Sequence, residues 1–271
     1  AGKQGMEVAS AEKVEGAHAG DGSKGAVPAR AGKSFLEALA QAKLPFVEAR
    51  DEIITLLIAG HETTANTLCW AMHLLAQHPE TQKAARAEVL EACGGHSALP
   101  TFEALQSLSG LRAILYEALR VFPTVPSIGR LVRKPITLCG YTVPAGSICA
   151  FAICEAARAR EAFGTGSEDF RPERHLDPTL GPMGSSWLPF GSGQRKCIGW
   201  RLAEVEALTL LAVLLQRYEL LPPRSPADAP RAVTSLTLGP KESGLRIRIK
   251  PLATIPAKRE PASKSKRTAE T

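Results

Sequence analysis

Apolar side chains occupy nearly every face of a helical wheel drawn over residues 46–77, and Pro79 closes the run. The pattern predicts one long, deeply buried helix. Residues 79–93 begin on a proline, carry apolar positions at helical spacing and stop at Gly94-Gly95, so a second, amphipathic helix is predicted there. A third runs from about residue 108 to Val121 and ends before Pro123. The period then changes. Residues 136–138, 141–143 and 147–152 surround Gly140 and the Pro144-Ala145-Gly146 turn, the signature of a small meander or hairpin. Residues 164–193 are rich in Gly, Pro and Ser without periodicity and read as a long loop, a feature that inside a domain usually carries function. A long helix over about 197–217 and two short strands, 233–238 and 245–250, complete a mainly α fold with small β-sheets.

The two ends depart from this pattern. Residues 1–33 contain no Leu, Ile, Phe, Trp or Tyr and seven glycines, too little apolar surface to offset the entropy of ordering a backbone. They are expected to be disordered, as is a basic tail over residues 251–271, leaving 34–250 as the folded domain. From Pro256 onward, five basic residues face Glu260 and Glu270, so this tail carries half of the formal net charge of +6. Charge concentrated in such a tail is a poor argument for nucleic-acid binding, and no nucleic-acid partner is expected. No stretch reads as a signal peptide or transmembrane span: the apolar run 53–76 is interrupted by His61, Glu62, Asn66 and His73. The six cysteines form no CxxC pair and no zinc-like spacing with histidine, which leaves them as single residues.

One of those cysteines stands in a special context. Phe190-Gly191-Ser192-Gly193-Gln194-Arg195-Lys196-Cys197-Ile198-Gly199 places Cys197 after a glycine-rich loop, at the mouth of a predicted helix. Unpaired N–H groups and positive partial charge at a helix start favour thiolate over thiol. Gly193 permits a tight turn, Gly199 lets backbone approach something large and flat, and Arg195 offers a fork for a carboxylate. This segment resembles the haem-binding signature FxxGxRxCxG of the cytochrome P450 family at every defining position. The resemblance implies haem b with Cys197 as its metal ligand and Phe190, Gly193, Arg195 and Gly199 around the cofactor.

Other segments agree in type and order. Glu117 and Arg120, three apart on a predicted helix, share a face, which alone describes an ordinary surface pair. Residues 170–175 (FRPERH) are similar to the family's PERF-type segment, and the likeness implies a structural triad of Glu117, Arg120 and Arg174, with His175 in place of the usual aromatic. Residues 59–64 (AGHETT) are similar to the family's oxygen-activating segment. There Gly60 would leave room for dioxygen, while Glu62 and Thr63 would supply an acid and a hydroxyl for proton delivery. A zinc HExxH reading fails because Ala65 holds the second histidine position. By the same resemblance Arg130 is a partner for a haem propionate, and Ala157-Arg158 falls where the family carries His-Arg.

Carried over residues 34–250, the resemblance implies the C-terminal half of the fold of a haem-dependent monooxygenase, with eukaryotic-type motifs. It further implies a small, lipophilic organic substrate and electrons from an NADPH-dependent reductase or ferredoxin-type donor. Lys196 and Arg201, beside the cysteine, are expected on the face that the donor meets. A complete member would be membrane-associated, at the endoplasmic reticulum or plastid, through an anchor that this stretch does not contain. The distal elements that roof the substrate pocket are also expected to be missing. Two alternatives stay open: a haem-thiolate isomerase or dehydratase, against which Glu62-Thr63 argues, and a non-catalytic haem-binding remnant.

Overall fold

A computed structural model describes residues 35–177, 187–241 and 244–252. The expected disordered segment 1–33 lies outside the described residues, as does the tail beyond Leu252. The chain divides into two compact units between Asp51 and Glu52. The first holds the short helix α1 (Phe35–Ala42) and the start of α2 (Phe46–Gln77); every residue discussed below lies in the second.

Helices α3 (Pro79–Cys93), α4 (Phe102–Ser107), α5 (Ser109–Val121) and α8 (Trp200–Arg217) pack with the C-terminal half of α2 around one core. Proline opens α3, where its missing N–H is no loss. Gly94 closes it at φ +71°, so that the N–H groups of Gly94 and Gly95 return to the carbonyls of Glu91 and Leu90. Leu111 and Leu115 on α5, one turn apart, share this core with Leu208, Leu211 and Leu215 on α8, which recur at three- and four-residue steps. Gln82 is buried among them, bonding the carbonyls of Leu75 and Leu220 through its amide and the Leu220 N–H through its oxygen. That one side chain ties α2, α3 and the strand after α8 together.

The expectation of a deeply buried α2 is corrected. Its buried residues begin at Thr64, and Ile54, Leu56, Leu57 and Ile58 are exposed. The elements of the core pack on the second half of the helix only.

Four two-stranded antiparallel sheets complete the described residues. β1 (Ser127–Leu131) pairs with β4 (Ile148–Ala152), and β2 (Ile136–Leu138) pairs with β3 (Tyr141–Val143) as a hairpin. β5 (Tyr218–Leu221) pairs with β8 (Arg248–Pro251), and β6 (Ala232–Thr234) with β7 (Leu238–Pro240). Helices α6 (Ile153–Ala156) and α7 (Arg160–Phe163) lead to a 3-10 turn at Pro172–His175. The mainly α architecture with small sheets is as expected. β8 ends at Pro251, one residue into the span assigned to the tail.

Candidate functional site

Cys197 is not at the start of α8. That helix begins at Trp200 with Gly199 as its cap, and a 3-10 turn, Gly193–Arg195, precedes the cysteine. The position of Cys197 therefore comes from the loop: its N–H donates to the Phe190 carbonyl at 2.8 Å, closing the segment on itself. Gly191 (φ +70°) and Gly193 (φ +66°) take left-handed conformations that side chains with a Cβ resist, which is what makes so tight a closure accessible. The thiol is exposed and Ile198 beside it is 89% exposed. A Cβ built on Gly193 or Gly199 would meet no atom of the described residues within 4 Å, so among them this side of the loop is open.

Arg195 is exposed and has no hydrogen-bond or ion-pair partner among the described residues. Among the described residues, Arg130, exposed on β1, reaches only the carbonyl of its neighbour Gly129. An exposed thiol on a glycine loop and two exposed guanidinium groups without carboxylate partners among the described residues are the donor types that a broad, flat ligand with acidic edges takes. The residues present fit a haem.

On α2 nothing lies within 4 Å of a Cβ built on Gly60. Glu62 and Thr63, next to each other in sequence, have separate partners. The Thr63 hydroxyl donates to the Ala59 carbonyl one turn back at 2.6 Å. Glu62 Oε1 accepts from the Thr237 hydroxyl at the end of the β6–β7 hairpin.

Glu117 and Arg120 form the centre of a dense buried network. Arg120 makes a two-pronged contact with the Glu117 carboxylate at 2.8 Å on each oxygen, and both residues are fully buried. Arg174 reaches Oε1 at 3.0 Å, and the Arg171 N–H reaches the same oxygen at 2.8 Å. His175 meets Oε2 at 2.8 Å. Burial pushes the Glu117 carboxyl upward in pKa. The bonds from Arg120 and His175, the Arg120 charge and the Arg171 N–H outweigh that and bring it down to about 2. Arg120 further donates to the carbonyls of Ala157, Ser167 and Asp169, and its guanidinium lies 5.0 Å from the Phe163 ring centroid. Ala157 thus contributes its buried carbonyl, and Arg158 donates to the Val121 carbonyl at the end of α5.

The structure therefore joins Glu117, Arg120 and Arg174 and adds His175, whose part the sequence did not reveal. A second cluster also went unread. Tyr116 and Arg112 on α5 both bond Glu204 on α8, and burial together with the bond to Glu204 raises the Tyr116 pKa. Tyr116, His175 and Trp187 form a ring cluster with centroids 5.1–6.1 Å apart, next to the segment that carries Cys197. No local pattern marks these contacts, because their partners are far apart in sequence.

The family model described as Cytochrome P450 matches residues 26–246 of this chain. Cytochrome P450 137 of Mycobacterium tuberculosis is 38% identical over 206 residues, covering 75% of this chain and 39% of that protein. The human mitochondrial 25-hydroxyvitamin D-1 alpha hydroxylase is 38% identical over 206 residues, 74% of this chain and 39% of its own length. A bifunctional cytochrome P450/NADPH–P450 reductase of Bacillus subtilis is 38% identical over 173 residues, 64% of this chain and 16% of its own. The chain thus spans about two fifths of the first of these relatives and less of the last.

Proposed function

Because the chain belongs to the cytochrome P450 family, whose members use haem, we propose that residues 34–250 form the cysteine-bearing part of a haem-dependent monooxygenase that inserts one oxygen atom from dioxygen into an organic substrate. The observation that carries this reading is the exposed Cys197 thiol on a closed glycine loop with open space beside it among the described residues.

Haem, when bound, supplies the iron at which dioxygen is reduced and activated. Cys197 is the iron ligand as thiolate, with Phe190, Gly193 and Gly199 shaping the loop around it. Arg195 and Arg130 would hold the propionates through charge-assisted bonds. Gly60 would leave room for dioxygen, as it carries no side chain. Thr63 has spent its only proton on the Ala59 carbonyl, so it presents lone pairs and accepts a hydrogen bond at a defined point. Glu62 carries the proton as a general acid, its rotamer held by Thr237. Glu117, Arg120 and Arg174 hold the 3-10 turn against α5; their part is structural.

Electrons come from an NADPH-dependent reductase or a ferredoxin-type donor, as the fused reductase in the Bacillus subtilis relative's name fits. The substrate is small and lipophilic. Among the described residues no helix is long and apolar enough to cross a membrane. Relatives named as mitochondrial in human and as chloroplastic in Glycine max show that the family includes organellar proteins, and membrane association of the whole protein at the endoplasmic reticulum or plastid is the reading that the resemblance implies. The acid-hydroxyl pair favours this reading over an isomerase or dehydratase, which needs no proton delivery from solvent.

The test is haem titration of the chain, with the absorption spectrum of the reduced carbonyl form read for the red-shifted Soret band of thiolate ligation. Stoichiometric binding with that band, lost in Cys197→Ala, is expected. A band that survives the substitution refutes the ligand assignment. Binding without turnover when a reductase is supplied supports the haem-binding remnant instead.

A further inference from the structure

Glu62, Asn66 and Trp70 stand at steps of four on α2 and form one stripe along the helix. All three bond the β6–β7 hairpin. Trp70 Nε1 donates to the Leu238 carbonyl at 3.1 Å, Asn66 Nδ2 donates to the Thr237 hydroxyl at 3.0 Å, and that hydroxyl donates to Glu62 Oε1. The Leu238 N–H in turn donates to the Thr124 carbonyl, and the Thr124 and Thr67 hydroxyls bond each other at 2.8 Å. The hairpin is held to the helix by this row of polar contacts, 171 residues and more from Asn66 in sequence.

The direction of the chain is set by proton count. A threonine hydroxyl has one proton and two lone pairs. Glu62 as carboxylate can only accept, so the Thr237 proton goes to it, and Asn66 must offer its amide rather than its carbonyl. Thr237 is buried, so its hydroxyl depends on these protein partners. The second carboxylate oxygen, Oε2, has no partner among the described residues. Glu62 is thus pinned by one oxygen and open at the other, the arrangement that a proton carrier of fixed rotamer requires.

Gly239 is part of the same device. A Cβ added there would come within 2.9 Å of both Asn66 Nδ2 and Oδ1. The glycine leaves room for the amide to reach Thr237.

We propose that Thr237 is a positioning residue for Glu62, oriented by Asn66 and by the space that Gly239 leaves. The hairpin, and not the helix alone, then sets where the acid's free oxygen lies. This rests on the reading of Glu62 as the acid.

The first experiment needs no cofactor. The Glu62 side-chain carboxylate carbon is followed by NMR in the 13C-labelled chain, with Glu62→Gln assigning the signal. Thr237→Val should shift the signal and Thr237→Ser should return it to the wild-type position. Gly239→Ala, which displaces Asn66 and leaves the Thr237 hydroxyl in place, should shift it independently and serves if Thr237→Val does not fold. An unmoved signal in Thr237→Val or in Gly239→Ala overturns the proposal.

The second uses the haem-loaded protein with a reductase and reads product formed per electron consumed. Glu62→Gln should lower this ratio, Thr237→Val should lower it toward the Glu62→Gln value, and Thr237→Ser should restore it. Loss in Glu62→Gln without loss in Thr237→Val refutes the positioning role alone. No loss in Glu62→Gln refutes the acid reading itself, so the two failures are distinguishable.

Discussion

His175 Nε2 lies 2.8 Å from Glu117 Oε2, on the opposite carboxylate oxygen from the one that Arg174 and the Arg171 N–H share. With the two prongs of Arg120, one buried carboxylate receives five hydrogen bonds from two segments of chain, α5 and residues 171–175. Three side chains and one N–H close around a group that would be very costly to bury alone.

That closure makes acid stability readable. The Glu117 carboxyl is held at about 2 against an ordinary value of 4.5. A depressed carboxylate contributes stability that is complete above the unfolded pKa and is lost as pH falls toward the folded one. The loss should run from about 4.5 down to about 2. Urea unfolding followed through that window should show it in the wild type and not in Glu117→Gln. Equal slopes in both proteins would place the acid sensitivity elsewhere.

Arg120→Lys should not be conservative. Arg120 spreads its donors over both Glu117 oxygens and the carbonyls of Ala157, Ser167 and Asp169. A lysine ammonium has three donors and no planar fork, so it cannot serve all of them. Breaking a buried pair costs about 3–5 kcal/mol, and Arg120→Lys should lose a large part of that in chemical denaturation. A loss within experimental error would show the network to be dispensable.

The helices α2 and α3 and the β2–β3 hairpin were readable because each is coded locally, by proline, glycine and apolar period. The cysteine loop was readable as a motif but misplaced on a helix, because the closure that positions Cys197 is a bond to Phe190 seven residues back. β1 and β5 were missed: their partners β4 and β8 lie some twenty and thirty residues away, and neither strand has a strong alternation of its own. The triad was found only through resemblance, since Glu117 and Arg120 alone look like any surface pair. His175, Thr237 and Glu204 act across long sequence separations, where no window of sequence shows a partner.

The exposed first half of α2 makes a separate claim. Leu57 and Ile58 are 65% and 55% exposed on an apolar helix segment. Contiguous apolar surface of this kind promotes self-association. Leu57→Glu should reduce association in sedimentation velocity while changing unfolding free energy by no more than about 0.5 kcal/mol, as for surface positions in general. A large loss of stability would mean that Leu57 is covered in solution.

Cys197→Ala should separate fold from cofactor. The thiol is exposed, and the loop closes through the residue's N–H, which alanine retains. Thermal unfolding of the cofactor-free chain should therefore be unchanged, whereas the thiolate signature in the haem spectrum disappears. A drop in the unfolding temperature comparable to that of Arg120→Lys would make the side chain a part of the packing.

The face beside Cys197 should set the rate of electron delivery. Lys196 Nζ lies 4.2 Å and Arg201 Cζ 5.1 Å from the centroid of the Trp200 ring, so one indole holds both cations in defined positions. Fixed positive charge steers an acidic partner, and such steering weakens as salt shortens the screening length to about 8 Å at physiological strength. Reduction of the haem-loaded protein by a reductase should slow as salt rises. Arg201→Glu should slow it further at low salt while haem content stays near wild type. Trp200→Ala, which keeps both charges but removes their common support, should fall between the two. If the rate is indifferent to salt and to both substitutions, the electron donor docks on another face.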